Sequence, residues 1–217
     1  SNLVVRDVWV QNFTGTGAIG AYFRDIVKSQ FFNFVTSGNT VNERYETSAV
    51  AGTPTTLDFY GGENRSATTK GAIVKTGYSI RSWGRTYENN AEEGLVVQPD
   101  ASGTVADFIL NDPWFEGNYG SDTAQYQAVF DGSAAGSTVR MTMQRGYWSG
   151  SGSTAKAINY TGSNIRATLD APVVPAVSGM IRIQNSALVD VVGWSPNVAY
   201  STVLNPAGGL IYSGLPR

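Results

Sequence analysis

A short apolar run, a polar Gly/Asn-rich bend and a second apolar run recur about every 26 residues along the 217-residue chain. A unit this short cannot bury its own apolar face, so repeating it end to end leaves stacking on its neighbours as the way to build a core. The first run can be followed through anchors at Leu3, Ile26, Leu57, Ile80, Phe108, Met141, Ile165 and Leu188, with steps of 23, 31, 23, 28, 33, 24 and 23 residues. A second run follows most anchors at a near-constant offset, at Ile19, Ile73, Leu95, Ile158 and Ile181. The extra length of the two longest units is assigned to turns between Asn39 and Thr47 and between Gly117 and Gln125, where a stack of coils tolerates insertion.

No helical period survives punctuation such as NFTGTGAIG, ENNAEEGLV or SGSGSTAKAI. Each unit therefore reads as two or three short strands joined by tight bends, and stacking the units makes parallel sheets along one axis. Parallel connections are almost always right-handed, so the expected fold is all-β, a right-handed single-stranded parallel β-helix of about seven or eight coils. The body is placed at 1–194. It starts in a strand, SNLVVRDVWV, as a piece of something longer would. The segment 195–217 loses the repeat, carries Pro196, Pro206, Gly208, Gly209 and Pro216, and reads as an irregular exit or cap over the last coil.

Composition narrows the chemistry. The chain has no cysteine and no histidine, so disulfides, thiolate or imidazole metal sites, Ser-His triads and cysteine nucleophiles are excluded. Acid-base chemistry falls to carboxylates, Lys, Arg or Tyr, and neither a cofactor nor a metal is expected. A formal net charge of -2 lacks the basic footprint of a nucleic-acid binder, and no run of residues is apolar and long enough to suggest membrane insertion.

Four short motifs repeat at one place in the unit: VQN at 10–12, GEN at 62–64, YENN at 87–90 and FEGN at 115–118. This pattern resembles the β-helical bodies of bacteriophage tailspikes and related pectate-lyase-like proteins, over roughly Leu3 to Trp194, in architecture and repeat style and without a transferable catalytic signature. The resemblance implies a homotrimer on the virion tail or another extracellular surface. It further implies binding, and in many members cleavage, of a bacterial surface polysaccharide, capsule or O-antigen. Calcium, lysine, arginine or histidine chemistry is common in the wider group, and the absence of histidine weakens its lyase and epimerase branches here.

Within that frame the acidic residues form the leading constellation. Glu88 and Glu116 each lie 8 residues after their anchors, so they should be neighbours on adjacent coils, with Glu63 near the same column if its turn is shorter. Coils stack about 4.8 Å apart, and one- or two-coil separations reach the roughly 5–9.5 Å between the carboxyls of retaining and inverting glycosidases. Like charges so close need a bound proton, a cation, a basic neighbour or outward splaying. The same glutamates also read, and more simply, as solvated turn residues beside asparagines that adopt the conformations bends require. Asp58 and Arg81 each follow an anchor by one residue and are read as a ladder salt bridge on the outer face.

Aromatic residues add a second line. Trp83, Trp114 and Trp148 lie within 3 to 7 residues of their anchors, and Trp114 sits in NDPWFEGNYG beside Asp112, Glu116 and Tyr119. Rings beside carboxylates and amides suit sugar recognition, the face stacking on C–H groups while polar groups take hydroxyls, though stacked rings also fill β-helix cores and subunit seams. Catalytic roles are assigned to Glu88, Glu116 and Glu63, and substrate contacts to Trp83, Asp112, Trp114, Tyr119 and Trp148. Two readings stay open: a polysaccharide-hydrolysing tailspike-like body, and a non-catalytic receptor-binding or fibre segment or bacterial β-helical adhesin.

Overall fold

A computed structural model describes residues 3–47, 53–118, 126–149, 156–173 and 181–193, together with strands Val203–Leu204 and Ile211–Ser213. These residues form a parallel β-helix of about six three-stranded turns, with no helix among them. The first turn runs Val4–Arg6 in sheet A, Trp9–Gln11 in sheet B and Ile19–Phe23 in sheet C, and the order repeats. Every neighbouring pair in the three sheets is parallel, each strand pairing with its counterpart one turn away. Sheets A and C continue beyond sheet B, and Val203–Leu204 and Ile211–Ser213 extend them into the segment read as an exit.

Strand chemistry sets which side faces in. Along Thr138–Gln144 burial alternates residue by residue, with Val139, Met141 and Met143 inside. The interior column of sheet A passes through Ser29, Leu57, Ile80, Phe108, Met141, Ala167 and Val189. Four central anchors from the repeat lie on it, whereas the expected anchors Ile26, Ile165 and Leu188 are displaced by three, two and one residues from Ser29, Ala167 and Val189. Small residues occupy those interior positions, and larger apolar neighbours draw the eye from them. The long second unit differs too. Val41–Tyr45 is a full sheet C strand, so its extra length falls later, between Tyr45 and Thr55.

Corners are built by single left-handed residues. Asp7, Asn33, Gly61, Gly84, Asp112, Arg145, Ala171 and Gly193 occupy the same A-to-B corner in successive turns, each with φ between 46° and 64°. At the B-to-C corner Asn12, Gly38, Ser66, Asn89 and Gly117 repeat the device. One such residue reverses the chain without a long loop, which is why glycine, asparagine and aspartate recur there.

The residues just past that second corner turn inward and form an amide ladder. Asn39, Asn90 and Asn118 donate Nδ2–H to the carbonyls of Val10, Asn64 and Tyr87, one turn back, at 3.1, 3.2 and 2.9 Å. Asn90 Nδ2 also reaches Asn118 Oδ1 at 2.8 Å, and Ala67 N–H donates to Asn90 Oδ1 at 3.0 Å. Buried backbone groups at a bend have no sheet partner, and these amides supply one. Asparagine was expected at bends for its tolerance of left-handed backbone, which Asn12 and Asn89 bear out; its ladder role is the additional finding.

Inside, rings stack turn upon turn. Phe23 lies over Tyr45 with centroids 4.5 Å apart, Phe31 over Phe59 at 4.6 Å, Tyr87 over Phe115 at 4.9 Å and Phe115 over Trp148 at 5.6 Å. Among them lies a buried ion pair, Glu43 with Arg85. Thr36 Oγ1–H and Tyr45 O–H also donate to the Glu43 carboxylate, each at 2.8 Å, and the Arg85 guanidinium lies 4.5 Å from the Phe59 ring centroid. Burial pushes the Tyr87 hydroxyl up to about 12 and also raises Tyr45 well above its ordinary value, the Glu43 carboxylate adding to both. Desolvation works against the Arg85 charge, and the interactions with Glu43, Tyr45 and Tyr87 together outweigh it.

Candidate functional site

Sheet B carries the motifs noted in the sequence. Its strands are three residues long between left-handed corners, so the middle residue points inward and the outer two lie on the outer side, where all but Val35 are at least partly exposed. The inward column includes Asn64, Tyr87, Phe115 and Trp148. One outward column runs Glu63, Thr86, Trp114, Tyr147, and the other runs Arg65, Glu88, Glu116, Ser149.

Glu88 and Glu116 are register partners on adjacent turns, where the equal offsets placed them. Glu63 instead pairs with Thr86, one column away, because its corner has the ordinary length: Gly61-Gly62 matches Gly84-Arg85. Arg65 takes the position beside Glu88. Its Nη1 lies 3.1 Å from Glu63 Oε2 and 3.8 Å from Glu88 Oε1, so it answers the repulsion that stacked carboxylates would otherwise feel. These groups are partly exposed, and such pairs contribute only about 0–1 kcal/mol each to stability.

The aromatic side chains of this face are open to solvent. Trp114 is 40% exposed and Tyr147 37%, and the two rings stack at 4.1 Å with 29° between their planes. Trp114 Nε1–H donates to Glu116 Oε2 at 2.9 Å. Farther along, Trp9 is 58% exposed, with the Arg65 guanidinium 5.7 Å from its ring centroid. The outer face thus combines rings, carboxylates and one guanidinium along the axis, an arrangement able to stack on a sugar and bind its hydroxyls.

The remaining predicted contacts separate. Trp148 is 1% exposed and stacks under Phe115, a position from which it cannot meet a ligand outside the sheet. Trp83 closes an outer ladder on sheet A, 4.8 Å from Tyr60, which lies 4.8 Å from Phe32; ring faces in that ladder cover one another. Asp112 sits at the A-to-B corner, bound through both oxygens by Arg145 at 2.5 and 2.7 Å, and the hydrogen bond from that guanidinium holds its carboxyl below the usual range. Tyr119 lies outside the described residues. Asp58 and Arg81 are register partners with a 3.2 Å contact, the ladder salt bridge expected.

Tyr147, Arg65 and Trp9 belong to this face and were missed in the sequence. Tyr147 stands 6 residues after Met141, as Trp114 does after Phe108, and that equal offset was the available signal. A separate groove of about 350 Å³ lies on the outer side of sheet A, lined by Leu3, Val4, Lys28, Gln30, Thr56 and Asp58. Lys28, Thr56, Ser79 and Asp107 stack as left-handed residues within sheet A, a bulge ladder that bends its strands. Among the described residues no group of three or more acidic side chains is arranged to hold a metal ion. The chain matches no family profile, no curated protein and no solved structure.

Proposed function

We propose that this protein binds a bacterial surface polysaccharide, capsule or O-antigen, along the outer face of sheet B, as a tailspike-like extracellular β-helix and in the homotrimeric form the resemblance implies. The observation that carries the reading is the exposed Trp114–Tyr147 stack with Glu116 hydrogen-bonded at its edge. Large rings left in solvent on the last two strands of a parallel sheet offer apolar area that water leaves unsatisfied, and adjacent carboxylates give a sugar its hydroxyl partners. Purified capsular and O-antigen polysaccharides, immobilised as a panel, test the reading directly. Retention of the wild type on at least one glycan, with Trp114→Ala weakening it about tenfold or more, is the expected result. Equal retention of wild type and variant would remove sheet B from the reading.

A second reading, hydrolysis, rests on the Glu88–Glu116 register, which puts two carboxylates one turn apart. In that case one protonates the leaving oxygen while the other attacks the sugar or activates water. Glu88→Gln or Glu116→Gln then abolishes chain shortening while binding persists, because an amide of the same shape cannot transfer the proton. A bound glycan that keeps its length with the wild type leaves the adhesive function alone.

A further inference from the structure

Resting on that reading, we infer that the glycan taken by sheet B carries free amino groups, and that acidic polysaccharides are turned away. The charge of the face makes the selection. Its two outward columns hold three carboxylates, Glu63, Glu88 and Glu116, against one cation, Arg65, among the described residues. That cation is occupied: it contacts Glu63 and Glu88 and lies over Trp9. Among the described residues no guanidinium or ammonium of this face is left to receive a uronate, sialate or phosphate group, and each approaching anion meets a surplus of negative charge.

An amine meets the opposite situation. Glu116 binds Trp114 through Oε2, and Oε1 has no hydrogen-bond partner among the described residues. The carboxylate stands at the edge of the Trp114–Tyr147 stack, so an ammonium there gains the negative oxygen beside the exposed rings. Glu88, one turn away in register, repeats the acceptor at the strand spacing of about 4.8 Å, which suits a polymer bearing the same charged group along its length. A neutral sugar can stack on the same rings, but it offers the carboxylates only hydroxyls for the water it displaces.

Three β-1,4-linked hexamers that differ in charge separate these outcomes: glucosamine, glucose and glucuronic acid, titrated calorimetrically against the whole chain at low and at physiological salt. Exposed charge pairs give about threefold each, so the glucosamine hexamer should bind about tenfold more tightly than the glucose hexamer at low salt, with the advantage shrinking as salt rises. The glucuronic acid hexamer should bind more weakly than either. Glu116→Gln should cut the amine's advantage over glucose by about threefold, a change in the ratio of the two ligands that loss of folding cannot produce. Glucuronate binding equal to or stronger than glucose binding overturns the charge inference and leaves the glycan reading intact, as does a panel in which acidic capsules are the ones retained. Binding of none of the hexamers, together with an empty panel, overturns both.

Discussion

Replacing Glu43 by glutamine should cost this protein more than any change on its outer face. The side chains of Glu43 and Arg85 are 0% and 1% exposed, and they connect a sheet C strand of the second turn to the corner before Thr86–Glu88 in the fourth. Thr36 donates to one carboxylate oxygen and Tyr45 to the other, at 2.8 Å and roughly 1 kcal/mol each, and glutamine keeps an oxygen for only one of them. It leaves the Arg85 charge unanswered in a site lined by Phe59 and Tyr87. Breaking a buried pair from one side costs about 3–5 kcal/mol, a large share of the roughly 5–15 kcal/mol that holds a domain folded.

The double variant Glu43→Leu with Arg85→Met decides whether the cost is that of a stranded charge. It removes both charges, fills the space with apolar groups and strands only the Thr36 and Tyr45 hydroxyls, for a loss of about 2 kcal/mol. If each single change costs about 3–5 kcal/mol, independent effects would sum to roughly 6–10, so the pair should show coupling of several kcal/mol. Urea unfolding followed by tyrosine and tryptophan fluorescence gives these values, provided the slope with denaturant is unchanged, since turns of a solenoid can unfold separately. Additive losses, or a glutamine variant within about 1 kcal/mol of wild type, would refute the reasoning.

The amide ladder and the corner ion pair give further tests. A Cβ on Gly94 would stand 2.8 to 3.0 Å from the Asn118 amide, so Gly94→Ala should displace that ladder residue and cost about 1–3 kcal/mol; unchanged unfolding would show the ladder free to shift. Asp112, hydrogen-bonded by Arg145, should titrate below an ordinary aspartate by carboxyl NMR, and Arg145→Gln should return it toward the ordinary value. Because its folded-state value is depressed, the stability it adds is present above the unfolded value of about 3.9 and lost as pH falls through the folded one; loss of that stability as pH rises would contradict the pairing.

The parallel solenoid was legible because its signal is cumulative: Leu57, Ile80, Phe108 and Met141 share one interior column, and their spacing survives insertions in the bends. Legibility failed where a small residue holds the shared register. Ser29 and Ala167 stand on that column, while the bulkier Ile26, three residues earlier, and the equally interior Ile165, two residues earlier, carry the stronger apolar signal. Sheet B was hidden because a three-residue strand such as Thr86–Glu88 has only one inward side chain, too few for a period. The Glu88–Glu116 pairing followed from equal offsets alone. Applying the same count to Glu63, without a shortened turn, gives its true neighbour Thr86 and brings out Arg65. Burial of Trp148 is decided by parity: the first residue of its strand, Tyr147, faces out, and so the second faces in.

Interior and exterior are joined at one corner. Arg85 points inward to Glu43, and the next residues, Thr86 to Glu88, present the outer columns of sheet B. Parallel ladders on both sides hold that strand, pairing Glu88 with Arg65 on one turn and Glu116 on the other. The spacing of charges and rings on the face is therefore set by backbone hydrogen bonds and a buried ion pair, and a ligand need not order them. Surface side chains on a loop would lose conformational freedom on binding, at about 0.5–1.5 kcal/mol for each that is immobilised. For the glycan proposed at sheet B, much of that cost would be met by folding, which would let weak individual contacts add along the axis and would require the ligand's own repeat to fit the turn spacing.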